Sequence, residues 1–361
     1  MFRPKFTISP LLSQLLMSIE AARQAVMDLP VDIEMLASLR ETARLVATHF
    51  STQIEGNRLT QAQVEETLRG ARFPGRERDE TEVKNYYRAL EEVEKLSGET
   101  TLIQEIDIQR IHGLVMQGRS VPTPYRDGQN VVRDSASGRI IYMPPEASDV
   151  VALMAELVSW TTSEIERSEL PIPLVAALAH YQFATIHPYY DGNGRTARLL
   201  TNLILHKTGY GLKGIYNLEE YYARNLSDYY ATLAVGESHN YYLGRKDADV
   251  SAFVEYFCGG MSEAFVAVRV QASEAAKRNP LDRSPLLRKL DPRRRQLLVL
   301  FRRQDTANTT EIAKHLGLSQ RTIVTLCQKW VVEEFLEMDD PSRKNRSYRL
   351  AKEYEQEIQD N

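Results

Sequence analysis

The stretch His187-Pro-Tyr-Tyr-Asp-Gly-Asn-Gly-Arg-Thr-Ala-Arg198 decides how this chain folds and which chemistry it supports. An apolar helical pattern runs into it (Leu174, Ala177, Leu178, Tyr181) and another leaves it (Leu199, Leu200, Leu203, Ile204). The polar cluster therefore sits where one helix ends and the next begins. A glycine turn that opens a helix presents unpaired N–H groups at the positive end of the helix dipole, which suits a phosphate. Arg195 and Arg198 stand one turn apart on the new helix, so both guanidiniums can reach one polyphosphate. Asp191 is a hard oxygen ligand suited to a magnesium ion that bridges phosphates. His187, four residues earlier, is a proton acceptor near neutral pH.

These parts point to phosphoryl or nucleotidyl transfer with a histidine base. No Gly-Lys-[Ser/Thr] occurs, so the loop is not a Walker A loop. A plain helix–loop–helix with surface arginines is the bland alternative. The segment resembles the Fic family signature, His-x-Phe-x-[Asp/Glu]-Gly-Asn-Gly-Arg-x-x-Arg, at His187, Asp191, Gly192, Asn193, Gly194, Arg195 and Arg198, with Tyr189 in the Phe position. The resemblance implies transfer of AMP from ATP to a Ser, Thr or Tyr hydroxyl of a target protein. It makes His187 the catalytic base and Asp191 the Mg2+ ligand. Gly192, Asn193, Gly194, Arg195, Thr196, Ala197 and Arg198 would bind the nucleotide, Arg195 at the β-phosphate and Arg198 at the γ-phosphate.

Far upstream, Ser51-Thr-Gln-Ile-Glu-Gly-Asn57 is similar to the family's inhibitory motif, [Ser/Thr]-x-x-x-Glu-[Gly/Asn], at Ser51, Glu55 and Gly56. By that resemblance Glu55 pairs with Arg198, takes the place of the γ-phosphate and holds the enzyme inactive. A helix end closed by Gly56 explains the same residues about as well.

Two further segments bear on the site. Arg139-Ile-Ile-Tyr-Met-Pro-Pro145 is β-rich and stopped by a Pro pair, after an Asp134–Gly138 hairpin turn. It resembles the family's flap, whose strand edge aligns the target segment; Ile141 and Tyr142 are its candidate nucleotide contacts. An ordinary small hairpin is the alternative. Tyr221–Tyr230 is helical and aromatic and resembles the stretch that lines the adenine pocket, with Tyr229 and Tyr230 the first candidates. Glu237 stands where relatives often have an asparagine.

The 361 residues and net charge of −4 describe an ordinary globular protein with room for two to three domains. Cys258 and Cys327 show no pairing or metal spacing, which fits a reducing cytoplasm. No apolar run spans a membrane. We expect a mainly α fold: a Fic-type helical bundle with a small β-hairpin flap and a C-terminal winged helix-turn-helix. The expected divisions are 1–100 (N-terminal helices with the inhibitory helix), 101–280 (catalytic core) and 281–361. The last segment carries 16 Lys/Arg against 13 Asp/Glu, the remainder 29 against 36. Its helix–helix–hairpin order places Gln320, Arg321 and Lys329 on a recognition-type helix and Arg343, Lys344 and Arg346 on a wing, so residues 319–346 are a candidate DNA surface. A weak net charge leaves protein contact equally open. The family resemblance also implies self-modification and a homodimer. Rival readings are transfer of another group, removal of AMP with Glu55 orienting a water, a nucleotide-sensing DNA-binding regulator, and a metal hydrolase using His180, His187 and Asp191.

Overall fold

Caps set several of the helix ends: Thr60 opens one helix with a capping box, and Gly118, Ser168 and His187 close others in the left-handed region. The structure is a computed structural model, and it describes residues 2–29, 33–98, 102–133, 137–236, 238–278, 290–302, 304–340, 342 and 346–359. In chain order the first elements are α1 (Pro10–Asp28), α2 (Ile33–Ile54), α3 (Gln61–Leu68), α4 (Glu77–Leu96) and α5 (Glu105–Gln117). A short antiparallel pair follows, β1 (Val132–Arg133) and β2 (Ile140–Tyr142). Then come α6 (Ala147–Arg167), α7 (Ile172–Ile186), α8 (Asn193–Lys207), α9 (Glu219–Arg224), α10 (Leu226–Leu233) and α11 (Ser251–Arg278).

The centre of this bundle is α7 with α8. Pro171 and Pro173 bracket the start of α7, where a missing N–H costs nothing. Its residues are apolar on all sides, and nearly all are buried from Pro173 to Ile186. A helix apolar all round belongs in a core, not on its rim. α8 packs along α7, α6 covers α7 from another side, and α4 with α5 covers α8. Polar residues of α8 are buried too, among them Asn193, Arg195, Thr196 and Arg198. Such groups stay buried only when partners or ligands satisfy them.

Two compact units emerge. One consists of Met1–Met27 with Ser38–Arg269, the other of Asp28–Ala37 with Val270–Asn361. The expected boundary between 100 and 101 lies outside the described residues; α4 before it packs directly on α5 and α8 after it. The expected boundary at 280 lies outside the described residues. The second unit holds α12 (Pro292–Phe301), β3 (Ala307–Asn308), α13 (Thr309–Leu316), α14 (Gln320–Val332), β4 (Leu336–Asp340), β5 (Ser347–Leu350) and α15 (Lys352–Gln359). Its three strands form an antiparallel sheet in the order β3-β5-β4. Asp291, Asn308 and Ser319 cap its first three helices through their side chains. Leu297, Leu298, Ile312, Ile323, Trp330, Phe335 and Tyr348 share its core.

Gln320, Arg321 and Lys329 are exposed on α14. The neighbouring strand β4 is acidic: Glu337 pairs with Arg349 at 2.9 Å, and Asp339 accepts from Ser347 at 3.1 Å. Arg343 and Lys344 of the expected wing lie outside the described residues.

Candidate active site

The turn between α7 and α8 folds as its glycines require. His187 closes α7 in the left-handed region (φ 52°), its N–H donating to Phe183 O at 3.0 Å. Gly192 opens α8 at φ 76°. A Cβ there would lie 2.7 Å from Met116 Sδ and 3.3 Å from His112 Nε2, so the position needs glycine for room as well as for conformation. Asn193 ties the loop in both directions. Its Oδ1 accepts from Tyr189 N–H at 3.0 Å and its Nδ2 donates to Tyr189 O at 2.8 Å. Thr196 donates from Oγ1 back to Gly192 O at 2.8 Å. Ala197 is fully buried between these groups and the core.

α8 has no side-chain N-cap. Its first N–H groups, those of Asn193, Gly194 and Arg195, therefore remain for a ligand at the positive end of a 15-residue helix. Asp191 Oδ1 accepts from Gly192 N–H at 2.6 Å and faces Arg195 Nη2 at 3.5 Å, with the carboxylate 60% exposed. Arg195 Nε is buried without a partner. Such orphaned donors beside a helix N-terminus fit a polyphosphate. The lone exposed carboxylate of Asp191 fits Mg2+, which usually takes one or two carboxylates and fills its other positions with phosphate oxygens and water. Among the described residues no group of three or more metal-ligand side chains occurs.

Arg198 is 1% exposed. Its Nε donates to Ser51 Oγ at 2.8 Å, and its Nη2 donates to Ser51 O at 3.0 Å and to Glu55 Oε1 at 2.9 Å. Nη1 is buried and has no partner. Ser51 lies in the last turn of α2, Glu55 just beyond it, and Gly56 (φ 92°) turns the chain away. A Cβ on Gly194 would lie 2.5 Å from Glu55 Oε1. The Glu55 carboxylate thus occupies space against the start of α8. The Glu55 charge holds the Arg198 guanidinium well above its ordinary range despite burial.

Burial pushes the His187 imidazole down to about 4, and the Arg126 charge adds to this. Its Nδ1 faces Ala184 O at 3.4 Å. With the proton on Nδ1, Nε2 keeps its lone pair and can accept one. Negative charge brought beside the ring would raise its basicity.

Three residues that sequence reasoning missed hold this turn in place. His112 Nε2 meets Asp191 O at 3.0 Å, its Nδ1 meets Thr123 Oγ1 at 2.6 Å, and its ring stacks on Tyr189 at 3.5 Å. Burial keeps it neutral, down to about 4. Asn130 Nδ2 donates to Tyr189 O at 3.2 Å. Arg126 donates from Nε to His187 O at 3.0 Å, from Nη1 to Gly128 O and from Nη2 to Pro145 O. A polar ring inside the apolar Ile111–Val115 run was the one signal that could have found His112. Among the described residues Arg126 bonds to carbonyls alone, which leave no mark in a sequence.

The other predicted residues stand further out. Ile141 is exposed on β2, whereas Tyr142 is buried; its hydroxyl donates to Thr185 O at 2.6 Å, and Arg245 lies over its ring at 4.7 Å. The edge of the strand ends at Met143, whose N–H and C=O pair with His239 and Tyr241. Tyr229 is core: its hydroxyl meets His180 Nε2 at 2.9 Å and its ring stacks on Tyr222. Tyr230 is exposed and feels the Glu55 charge. Asp134 to Ala136 and Glu237 lie outside the described residues. Among the described residues no helix is long and apolar enough to cross a membrane.

Comparison with known proteins bears on the same segment. Residues 102–205 match the Fic/DOC family. The chain is 31% identical over 203 residues to protein adenylyltransferase Fic of Drosophila willistoni, a stretch that covers 54% of this chain and 38% of that protein. It is 34% identical over 191 residues to protein adenylyltransferase fic-1 of Caenorhabditis elegans, covering 51% and 36%. The chain thus spans less than two-fifths of the length of these relatives. Among solved structures, a Fic family protein from Desulfovibrio desulfuricans superposes with a TM-score of 0.61 at 26% identity, over 97% of this chain and 99% of that one.

Proposed function

We propose that this chain, which carries a Fic domain over residues 102–205, transfers AMP from ATP to a Ser, Thr or Tyr hydroxyl of a target protein, itself included, and is restrained by Glu55. One observation carries the reading. A fully buried arginine one turn inside an uncapped helix is paired with a carboxylate 143 residues away, beside a histidine with a free ring nitrogen.

In this reading the first N–H groups of α8 and Arg195 hold the α- and β-phosphates, and Arg198 takes the γ-phosphate once Glu55 has left. Asp191 would hold Mg2+, which when bound draws charge off the phosphate oxygens. His187 accepts the target hydroxyl's proton at Nε2. The hydroxyl oxygen bonds to the α-phosphorus, the bond from that phosphorus to the bridging oxygen breaks, and pyrophosphate leaves. Positioning and charge neutralisation supply most of such a rate. The target segment would dock on the exposed edge around Ile140 and Ile141 within residues 139–145, and Tyr230 would flank the base.

A second reading is favoured by one detail. Glu55 grips Arg198 through Oε1 alone and is 27% exposed, so Oε2 is free to orient a water for removal of AMP. Two free, buried cysteines suit a reducing compartment, and we infer a cytoplasmic dimer. The acidic β4 beside α14 favours a protein contact over DNA for the second unit.

The test uses purified wild type, Glu55→Gly and His187→Ala with Mg2+ and α-labelled ATP. Protein-bound label should rise at least about tenfold in Glu55→Gly, since a displaced γ-phosphate seat is worth several kcal/mol, and vanish in His187→Ala. Equal labelling in wild type and Glu55→Gly would sink the restraint. Release of AMP from a labelled protein by wild type, lost in Glu55→Gly, would favour the second reading.

A further inference from the structure

Behind Arg198 lies a buried carboxylate that the proposed chemistry does not use. Glu219 opens α9 and is 1% exposed. Its Oε1 accepts from Tyr86 Oη at 3.1 Å and from Asn202 Nδ2 at 3.0 Å, and its Oε2 accepts from Leu218 N–H at 3.0 Å. All three partners donate, as an ionised carboxylate requires. Burial raises its pKa, and the charge of Arg198 opposes that shift.

Its two side-chain donors lead to Arg198 by separate routes. Asn202 stands one helical turn after Arg198 on α8, locked by Tyr216, which donates to Asn202 Oδ1 at 2.8 Å. Tyr86, on α4, lies beside Ser51, whose hydroxyl accepts from Arg198 Nε at 2.8 Å. Glu219 is thus linked to the Arg198 guanidinium through Tyr86 and Ser51, and through Asn202 to the helix that carries it.

A buried guanidinium without a counter-charge is expensive. Glu55 supplies that charge in the restrained state, but the proposed reaction requires Glu55 to leave before the γ-phosphate arrives. In that interval Arg198 would be buried with no anion in contact. Glu219 cannot leave, because three donors hold it and α9 carries it.

We propose that Glu219 is the permanent counter-charge of Arg198, and so a positioning residue that keeps the guanidinium in place for the terminal phosphate. This rests on the reading of Arg198 as a phosphate ligand. The neutral variant Glu219→Gln keeps the shape and loses one hydrogen bond to Leu218 N–H. That loss is the same with or without Glu55, so it cancels in a double-mutant comparison.

The experiment uses the full chain as wild type, Glu55→Gly, Glu219→Gln and the double variant. Thermal unfolding is read without nucleotide, and ATP and ADP binding are read by calorimetry. The double variant should lose clearly more in Tm than the two single losses together. In the Glu55→Gly background, Glu219→Gln should weaken ATP about tenfold and ADP less than about twofold, a difference confined to the γ-phosphate. Adding Asn202→Asp, which returns a carboxylate beside the lost one, should restore both readouts, and folding itself if the double variant does not fold. Additive losses in Tm, or no recovery with Asn202→Asp, would overturn the proposal. If Glu55→Gly binds no ATP at all, the nucleotide reading fails, and the unfolding comparison still decides the counter-charge.

Discussion

Replacing Arg126 with Met in the Glu55→Gly background would remove the clamp behind His187 without touching any group that faces the phosphate seat. Arg126 is 3% exposed and donates to His187 O at 3.0 Å, Gly128 O at 3.1 Å and Pro145 O at 2.5 Å. Among the described residues no carboxylate pairs with it. Burial lowers its pKa, so part of what its hydrogen bonds contribute is spent on holding a cation out of water. Three bonds to a charged donor contribute about 5–9 kcal/mol gross. Methionine also removes a desolvation penalty of several kcal/mol, which leaves a net loss of about 2–4 kcal/mol.

That loss corresponds to a fall of roughly 5–10 °C in Tm for a unit of this size. The kinetic effect should be larger than the thermal one. The carbonyl of His187 would be released from the loop that carries the flap, and a displacement of about 1 Å at a reacting group costs on the order of 100-fold. Initial rates of AMP transfer, measured well below the variant's Tm, should therefore show kcat about 100-fold lower. KM for ATP should stay within about threefold, because the N–H groups of α8 and Arg195 are undisturbed. Arg126→Lys keeps the charge but reaches fewer carbonyls, and should fall between the two. A kcat within threefold of the parent, with Tm lowered as expected, would show that Arg126 stabilises the fold without positioning the histidine.

Two other outcomes follow from the same geometry. Burial holds His112 and His187 down to about 4 and His180 to about 3, so the unfolded chain takes up these protons first, and stability should fall as pH drops from 6.5 towards 4. For three rings the slope approaches about 4 kcal/mol per pH unit, and urea midpoints that stay flat between pH 6.5 and 4.5 would contradict it. Gly192→Ala puts a methyl group 2.7 Å from Met116 Sδ in a backbone conformation with φ 76°, and should lower stability by about 1–2 kcal/mol together with the Mg2+ dependence of the reaction, measured as Tm and as rate against Mg2+ concentration.

Much of the site was legible because its chemistry is local in sequence. The helix–turn–helix around His187 needs apolar faces before and after it, carried by Leu174–Tyr181 and Leu199–Ile204, and a glycine at position 192, and all of that is written in one continuous stretch. The Glu55–Arg198 contact spans 143 residues and was legible only through resemblance, since nothing local in Ser51–Gly56 distinguishes a helix end from a regulator. Tyr229 and Tyr230 are adjacent and chemically identical, yet one is core and the other exposed, because α10 is a short helix that buries one face against α7. Which neighbour faces in depends on the packing of α7, not on the pair itself.

The groups that sequence reasoning missed share one physical property. Arg126, Asn130 and His112 recognise main-chain carbonyls, at His187, Tyr189 and Asp191 respectively. Every residue has a carbonyl, so such contacts place no demand on the identity of the partner and leave no paired pattern to read. They matter because a turn that must leave its own N–H groups free for a ligand cannot use them to hold itself together. The loop from His187 to Gly192 keeps two N–H bonds to local side chains, Tyr189 to Asn193 Oδ1 and Gly192 to Asp191 Oδ1, and the carbonyls of His187, Tyr189 and Asp191 are captured by residues remote in the chain. A site that keeps its donors available for phosphate must be braced by residues remote in the chain, and so the brace escapes a reading of the motif alone.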